Sequence, residues 1–202
     1  MEGSVESPAL PLLPALAEVM TVRAGTVCAV DSPGLAMAMA AGASSAGAWV
    51  GFAGLPELGW EAAADLGLQL DRTVAVPFPG EHWLSVTAAL VDVVSVVVAR
   101  PPGQVGEAQA GRIAARLRQR GCVLIVEGAW PRAAVRVRTL TNRWSGLGSG
   151  HGHLDSRQVS LEISTATGVP RRATLGVRAG ELWAVPVSMP TEVVEPIVAM
   201  VG

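Results

Sequence analysis

The chain has 202 residues, half of them apolar, with a formal net charge of −2, and all 15 of its cationic side chains are arginine. That size and apolar share suit one domain with a sizeable core. The absence of lysine excludes any chemistry that needs an ammonium point charge, above all the phosphate loop of nucleotide-hydrolysing α/β folds. No apolar run is long enough to span a bilayer, and Met1–Ser7 is acidic where a secretory leader needs a basic start, so a cytoplasmic protein is expected. The charge is uneven: residues 1–100 carry three arginines against ten acids, and residues 101–202 carry twelve against seven. The second half is therefore the side expected to meet an anionic partner.

Residues 1–14 form a Pro-rich apolar arm in which Leu10, Leu12 and Leu13 alternate with Pro8, Pro11 and Pro14. A short helix is expected over Ala15–Met20, then a strand over Thr26–Val30 stopped by Asp31-Ser32-Pro33-Gly34, and a small-residue helix over Leu35–Ala41. Strands follow at Trp49–Ala53 and Thr73–Val76, separated by a helix over Trp60–Leu66. A helix over His82–Val91 leads to the β-branched strand Val93–Ala99. The clearest helix is Gly106–Arg120, with Ile113, Ala114 and Leu117 on one face and Gly121 as its stop. Cys122–Val126 is the fifth strand. Short apolar strands separated by helices predict a parallel sheet covered on both faces.

The pattern changes after Gly128. Ala134–Thr141, Val159–Ser164 and Arg171–Val177 each alternate apolar and polar residues, which predicts strands with one solvated side and an antiparallel extension of the sheet. The core is thus expected to span residues 15–183, with a Pro-containing tail over 184–202.

Sites for chemistry are poor. The turn Asp31-Ser32-Pro33-Gly34 stands where a phosphate loop belongs. It is too short to wrap a phosphate, puts an acid where an anion would be repelled, and has Leu35 and Ala36 where Lys and Ser/Thr are needed. Ala99 and Arg100 end the strand that should carry a metal-anchoring acid, while Asp92, before it, reads as a strand-start residue. The run Gly146–Gly152 lies between two alternating strands, with no helix N-terminus facing it, and reads as a hairpin loop. His151, His153 and Asp155 in one such loop are weak evidence for a metal, and none is expected. Cys28 and Cys122 read as small buried hydrophobes. Arg136, Arg138 and Arg143, with Trp144 beside them, leave two readings open: guanidinium groups and a ring against single-stranded DNA, or a solvated strand face with a packed tryptophan at its end.

Four segments carry a resemblance: WVGFAGLPELGWEAAADLGLQLDRTVAV, EHWLSVTAALVDVVSVVVARPPG, AGRIAARLRQRGCVLIVEG, and VRVRTLTNRWSGLGSGHGHL followed by RQVSLEI and RRATLGV. Together they resemble the RecA-family core over about residues 15–183, and the RW-GLG-GHGHL run resembles the actinobacterial ImuA-prime proteins. The resemblance implies a RecA-like core, a largely parallel sheet flanked by helices with antiparallel C-terminal strands. It also shows departures. The metal-binding acid falls on Ala99, the catalytic glutamate falls near Leu55 with Glu57 displaced, and the nucleotide-sensing glutamine is replaced near Glu127-Gly128. The DNA-gripping loops shrink to Pro101–Gln104 and Gly128–Ala133.

What it implies is a pseudo-ATPase without cofactor or catalysis, acting as an adaptor of the damage-induced mutasome in error-prone translesion synthesis. Its partners would be an ImuB-type inactive Y-family polymerase homologue and, through the complex, an error-prone C-family DNA polymerase, in a nucleoid-associated setting without a membrane. Partner contacts, or self-association, are expected at Leu10, Leu12 and Leu13 in the arm and at Val193, Val194 and Ile197 in the tail. The alternatives are a SulA-like inhibitor of the tubulin-like division protein and a direct single-stranded DNA binder.

Overall fold

The computed structural model describes residues 7–145, 156–178 and 181–185. Strands β1 (Val27–Val30), β2 (Val50–Ala53), β3 (Thr73–Val76), β4 (Val96–Ala99), β5 (Val123–Glu127), β6 (Val135–Ser145), β7 (Ser156–Thr165), β8 (Arg171–Arg178) and β9 (Glu181–Val185) form one sheet. Their order is β3-β2-β4-β5-β1-β6-β7-β8-β9. Pairing is parallel from β3 through to β6 and antiparallel from β6 to β9. The protein is therefore a mixed α/β fold in which a mostly parallel sheet continues into antiparallel C-terminal strands.

Helices α1 (Pro14–Ala17), α2 (Pro33–Ser45) and α3 (Trp60–Asp65) lie on one face, and α4 (Trp83–Val93) and α5 (Glu107–Arg120) on the other. The strand order requires this split. The β1–β2 and β2–β3 connections run one way across the sheet, while β3–β4 and β4–β5 run back. Right-handed crossovers in opposite directions put their helices on opposite faces. Strands β1, β2, β4 and β5 are covered on both sides, which is why their residues are buried almost without interruption.

Several boundaries differ from the sequence expectations. α2 runs to Ser45 rather than Ala41, because Gly42 does not break it. A Cβ at Gly42 would run into the backbone of Leu12 and Leu13, so the glycine is there to let the arm cross the helix. The strand expected from Val93 begins at Val96, since Val93 still belongs to α4 and Val94 is the first extended residue. Asp92 is therefore no strand-start residue. It sits in the last turn of α4, where its Oδ1 accepts bonds from Nε of Arg116 (2.9 Å) and Arg120 (3.1 Å), clamping α4 to α5. Gly121 ends α5 in the left-handed conformation at φ 68° that glycine adopts without cost.

Candidate functional site

In open α/β sheets ligands sit at the carboxyl ends of the parallel strands. β1 ends at Val30 and α2 begins at Pro33, leaving only Asp31 and Ser32 between them. Pro33 offers no N–H, and the Ser32 hydroxyl makes no cap bond. The Asp31 carboxylate accepts from the Thr139 amide (2.7 Å) and hydroxyl (3.0 Å) on β6. The acid before the helix is thus spent sideways, tying the end of β1 to its neighbour. Gly34, the fourth residue of the turn, is already helical.

The next strand ends close the edge with charge. Arg100 follows β4 and donates through Nε (3.0 Å) and Nη2 (2.7 Å) to Oε2 of Glu127, the last residue of β5. Its Nη1 reaches Glu57, which follows β2. The hydrogen bond from Arg100 holds the Glu57 carboxyl below its ordinary pKa of 4.5. Burial works against the Arg100 charge, but the bonds to Glu57 and Glu127 outweigh it and raise its pKa. A cavity of about 160 Å³ opens beside this triad, lined by Pro33, Gly34, Met37, Leu55, Glu57 and Arg100 among others. A polyphosphate entering there would meet two carboxylates and a guanidinium bonded to them, beside a turn in which Pro33 offers no N–H. The arrangement ties three strand-end loops together through one guanidinium.

In the sequence Arg100, Glu57 and Glu127 stand out separately, as departures at three positions, and only the structure brings them into contact. Opposite charges at the ends of what prove to be adjacent strands were the available signal. Burial pushes the Cys28 and Cys122 thiols up to about 12, so neither is a ready nucleophile. Among the described residues no group of three His, Cys, Asp or Glu is placed to hold a metal ion. His151, His153, Asp155 and the Gly146–Gly152 run lie outside the described residues.

A second cavity, of about 250 Å³, lies between α2, α3 and β7–β9 and is mostly apolar, with Leu35, Leu66, Leu161 and Leu175 in its wall and Thr139 and Arg157 among its polar lining. It draws on segments scattered along the chain and has no local sequence signature.

The basic strand separates into two faces. The β6–β7 register shifts between Thr139 and Thr141, so Leu140 is a bulge that flips the alternation after it. Arg136 and Arg138 lie opposite Ser164 and Glu162, and Arg143 opposite Gln158, on one face. Trp144 lies opposite Arg157 on the other, with the Arg157 guanidinium 5.4 Å from its ring centre. The expected grouping of Trp144 with the three arginines is corrected by that one inserted residue. Arg136 is also committed, donating to the Trp130 carbonyl at 2.6 Å.

The arm lies back on its own domain. The Leu10 amide donates to Val22 O (2.7 Å), the Ala24 amide to Pro8 O (2.8 Å), and Leu10, Leu12 and Leu13 pack half-buried against the core under α1 and α2. Much of the leucine surface expected to meet a partner is used internally. Val193, Val194 and Ile197 lie outside the described residues.

The fold and its edge define a mixed α/β protein whose strand ends are closed by an arginine–carboxylate lock. The chain belongs to the MT3502 N-terminal domain family, whose model matches residues 12–132. The match runs from the arm to just past β5, covering the parallel half of the sheet. The chain is also similar to the uncharacterized protein Rv3395c of Mycobacterium tuberculosis, 35% identical over 105 residues that make up 51% of this chain and 52% of that protein. The chain thus spans about half the length of this curated relative. No helix among the described residues is long and apolar enough to cross a membrane.

Proposed function

We propose that this protein is a non-catalytic, RecA-like adaptor of the damage-induced mutasome. In this reading it binds an ImuB-type inactive Y-family polymerase homologue and, through the complex, supports an error-prone C-family polymerase near the nucleoid. The observation that carries the reading is the Arg100–Glu57–Glu127 lock beneath the two-residue β1–α2 turn. A working nucleotide motor needs an open loop, a cation and a metal-anchoring acid at that edge. Here the positions are filled by groups that satisfy each other. Function then rests in surfaces rather than in a reacting centre. The parallel strands followed by antiparallel terminal strands fit the RecA-like resemblance of the four segments.

The test is capture from DNA-damaged cells, with the full chain as bait and the ImuB-type protein and the tubulin-like division protein as the two prey. Recovery of the ImuB-type protein, weakened when residues 186–202 are deleted, is expected. Recovery of the division protein instead would replace this reading with the SulA-like one.

A further inference from the structure

The far side of the antiparallel strands presents a basic face. Helices α4 and α5 cover the parallel strands on this side, and their cluster contains no residue of β7, β8 or β9. The helix packed against this part of the sheet, α1 on β9, has its buried side chains in the cluster of the other face. Cross-strand register then fixes what the face presents. One row runs Arg138, Glu162, Arg172 across β6, β7 and β8. A second runs Arg143, Gln158, Gly176, Trp183 across β6 to β9. Arg138, Arg143 and Arg172 are exposed and make no hydrogen bond or ion pair among the described residues. Trp183 lies over Gly176, where any Cβ would run into the ring, and stays 39% exposed. A glycine under an exposed indole, in a row that ends on an arginine, makes a platform rather than a packed core.

We propose that this face binds single-stranded nucleic acid, with Arg138, Arg143 and Arg172 on phosphates and Trp183 stacked on a base. Charge complementarity selects the occupant. The face sets Arg136, Arg138, Arg143, Arg172 and Arg178 against Glu162 and Glu181, and residues 1–100 hold ten acids against three arginines, so the field of the molecule draws an anion towards this end. The exposed ring distinguishes a nucleic acid from an acidic peptide, since every base has a π-face to stack and a carboxylate has none. Three guanidinium groups spread over rows about 10 Å or more wide suit a backbone that passes over the sheet rather than one small anion. This proposal stands apart from the adaptor reading and does not need it.

The experiment is fluorescence anisotropy of labelled oligo-dT against the full chain over a series of salt concentrations. Wild type is expected to bind with log affinity falling linearly against log salt. The triple variant R138Q/R143Q/R172Q is expected to reduce that slope by about two, at roughly 0.7 per phosphate contact. Trp183→Leu should weaken binding about tenfold with the slope unchanged, as loss of one stacked base does. Arg112→Gln on α5, away from the face, should bind like wild type. Circular-dichroism melts confirm that each variant folds. Wild type that fails to bind at low salt, or a folded triple variant that binds like wild type, would overturn the proposal. So would oligo-glutamate displacing oligo-dT with Trp183→Leu indifferent, which would mark an acidic-protein surface instead.

Discussion

Arg100 directly follows Ala99, the position on which the resemblance places a metal-binding acid. A single guanidinium holding the last residue of β5 and a loop residue after β2 cross-braces three strand ends. The Glu127 side chain is only 15% exposed, so removing its partner leaves a carboxylate with poor access to water. Arg100→Ala is expected to lower stability by about 1–3 kcal/mol in urea melts at neutral pH, mainly through the Glu127 pair. Glu57 adds a pH signature. Its folded pKa lies below 4.5, so between the two values the unfolded chain holds a proton that the folded chain does not. The contribution is complete above 4.5 and is lost as pH falls through the folded value. Urea midpoints measured down through that window should fall less steeply for Arg100→Ala than for wild type; parallel curves would mean that Arg100 does not hold Glu57. At this scale the three residues are legible in the sequence one by one but their mutual bonding is not, because they lie far apart in the chain and meet only through the strand order.

The strands and helices themselves were largely readable. β3 has the bounds expected from its Thr-Val-Ala-Val run, and α5 is one residue shorter than expected, stopped by Gly121. The errors have physical causes. The Val-rich stretch from Val91 to Val98 satisfies helix and strand alike, and tertiary packing, not propensity, places the break at Val94. β9 was not foreseen, because Glu181–Val185 is short and forms only by pairing with β8. The Leu140 bulge reversed the faces beyond it, and nothing local in the sequence announces an inserted residue. Two glycines test the packing account of the arm. Gly42 and Gly111 are both inside helices, yet a Cβ at Gly42 meets the Leu12–Leu13 backbone whereas one at Gly111 meets nothing within 4 Å. Gly111→Ala should stabilise by up to about 1 kcal/mol through helix propensity. Gly42→Ala should destabilise by about 1–3 kcal/mol through overpacking. Equal stabilisation of both in thermal melts would contradict the close approach of the arm.

Taken whole, the molecule divides its labour along the sheet. Within the parallel half, which holds the family match, β1, β2, β4 and β5 are buried on both faces, and the carboxyl ends of β2, β4 and β5 are braced by the Arg100 bonds. The antiparallel half has one packed face and one basic face. The uneven charge was visible in the sequence, but its concentration on one face depended on strand register and could not be read there. The central claim is that the carboxyl edge has no seat for a nucleoside triphosphate. The most direct measurement is the melting temperature of the full chain with and without millimolar ATP and Mg²⁺, since a ligand raises stability only by binding the native state. An unchanged melting temperature is predicted; a saturable rise, abolished by substitutions at Pro33 or Gly34, would contradict the account.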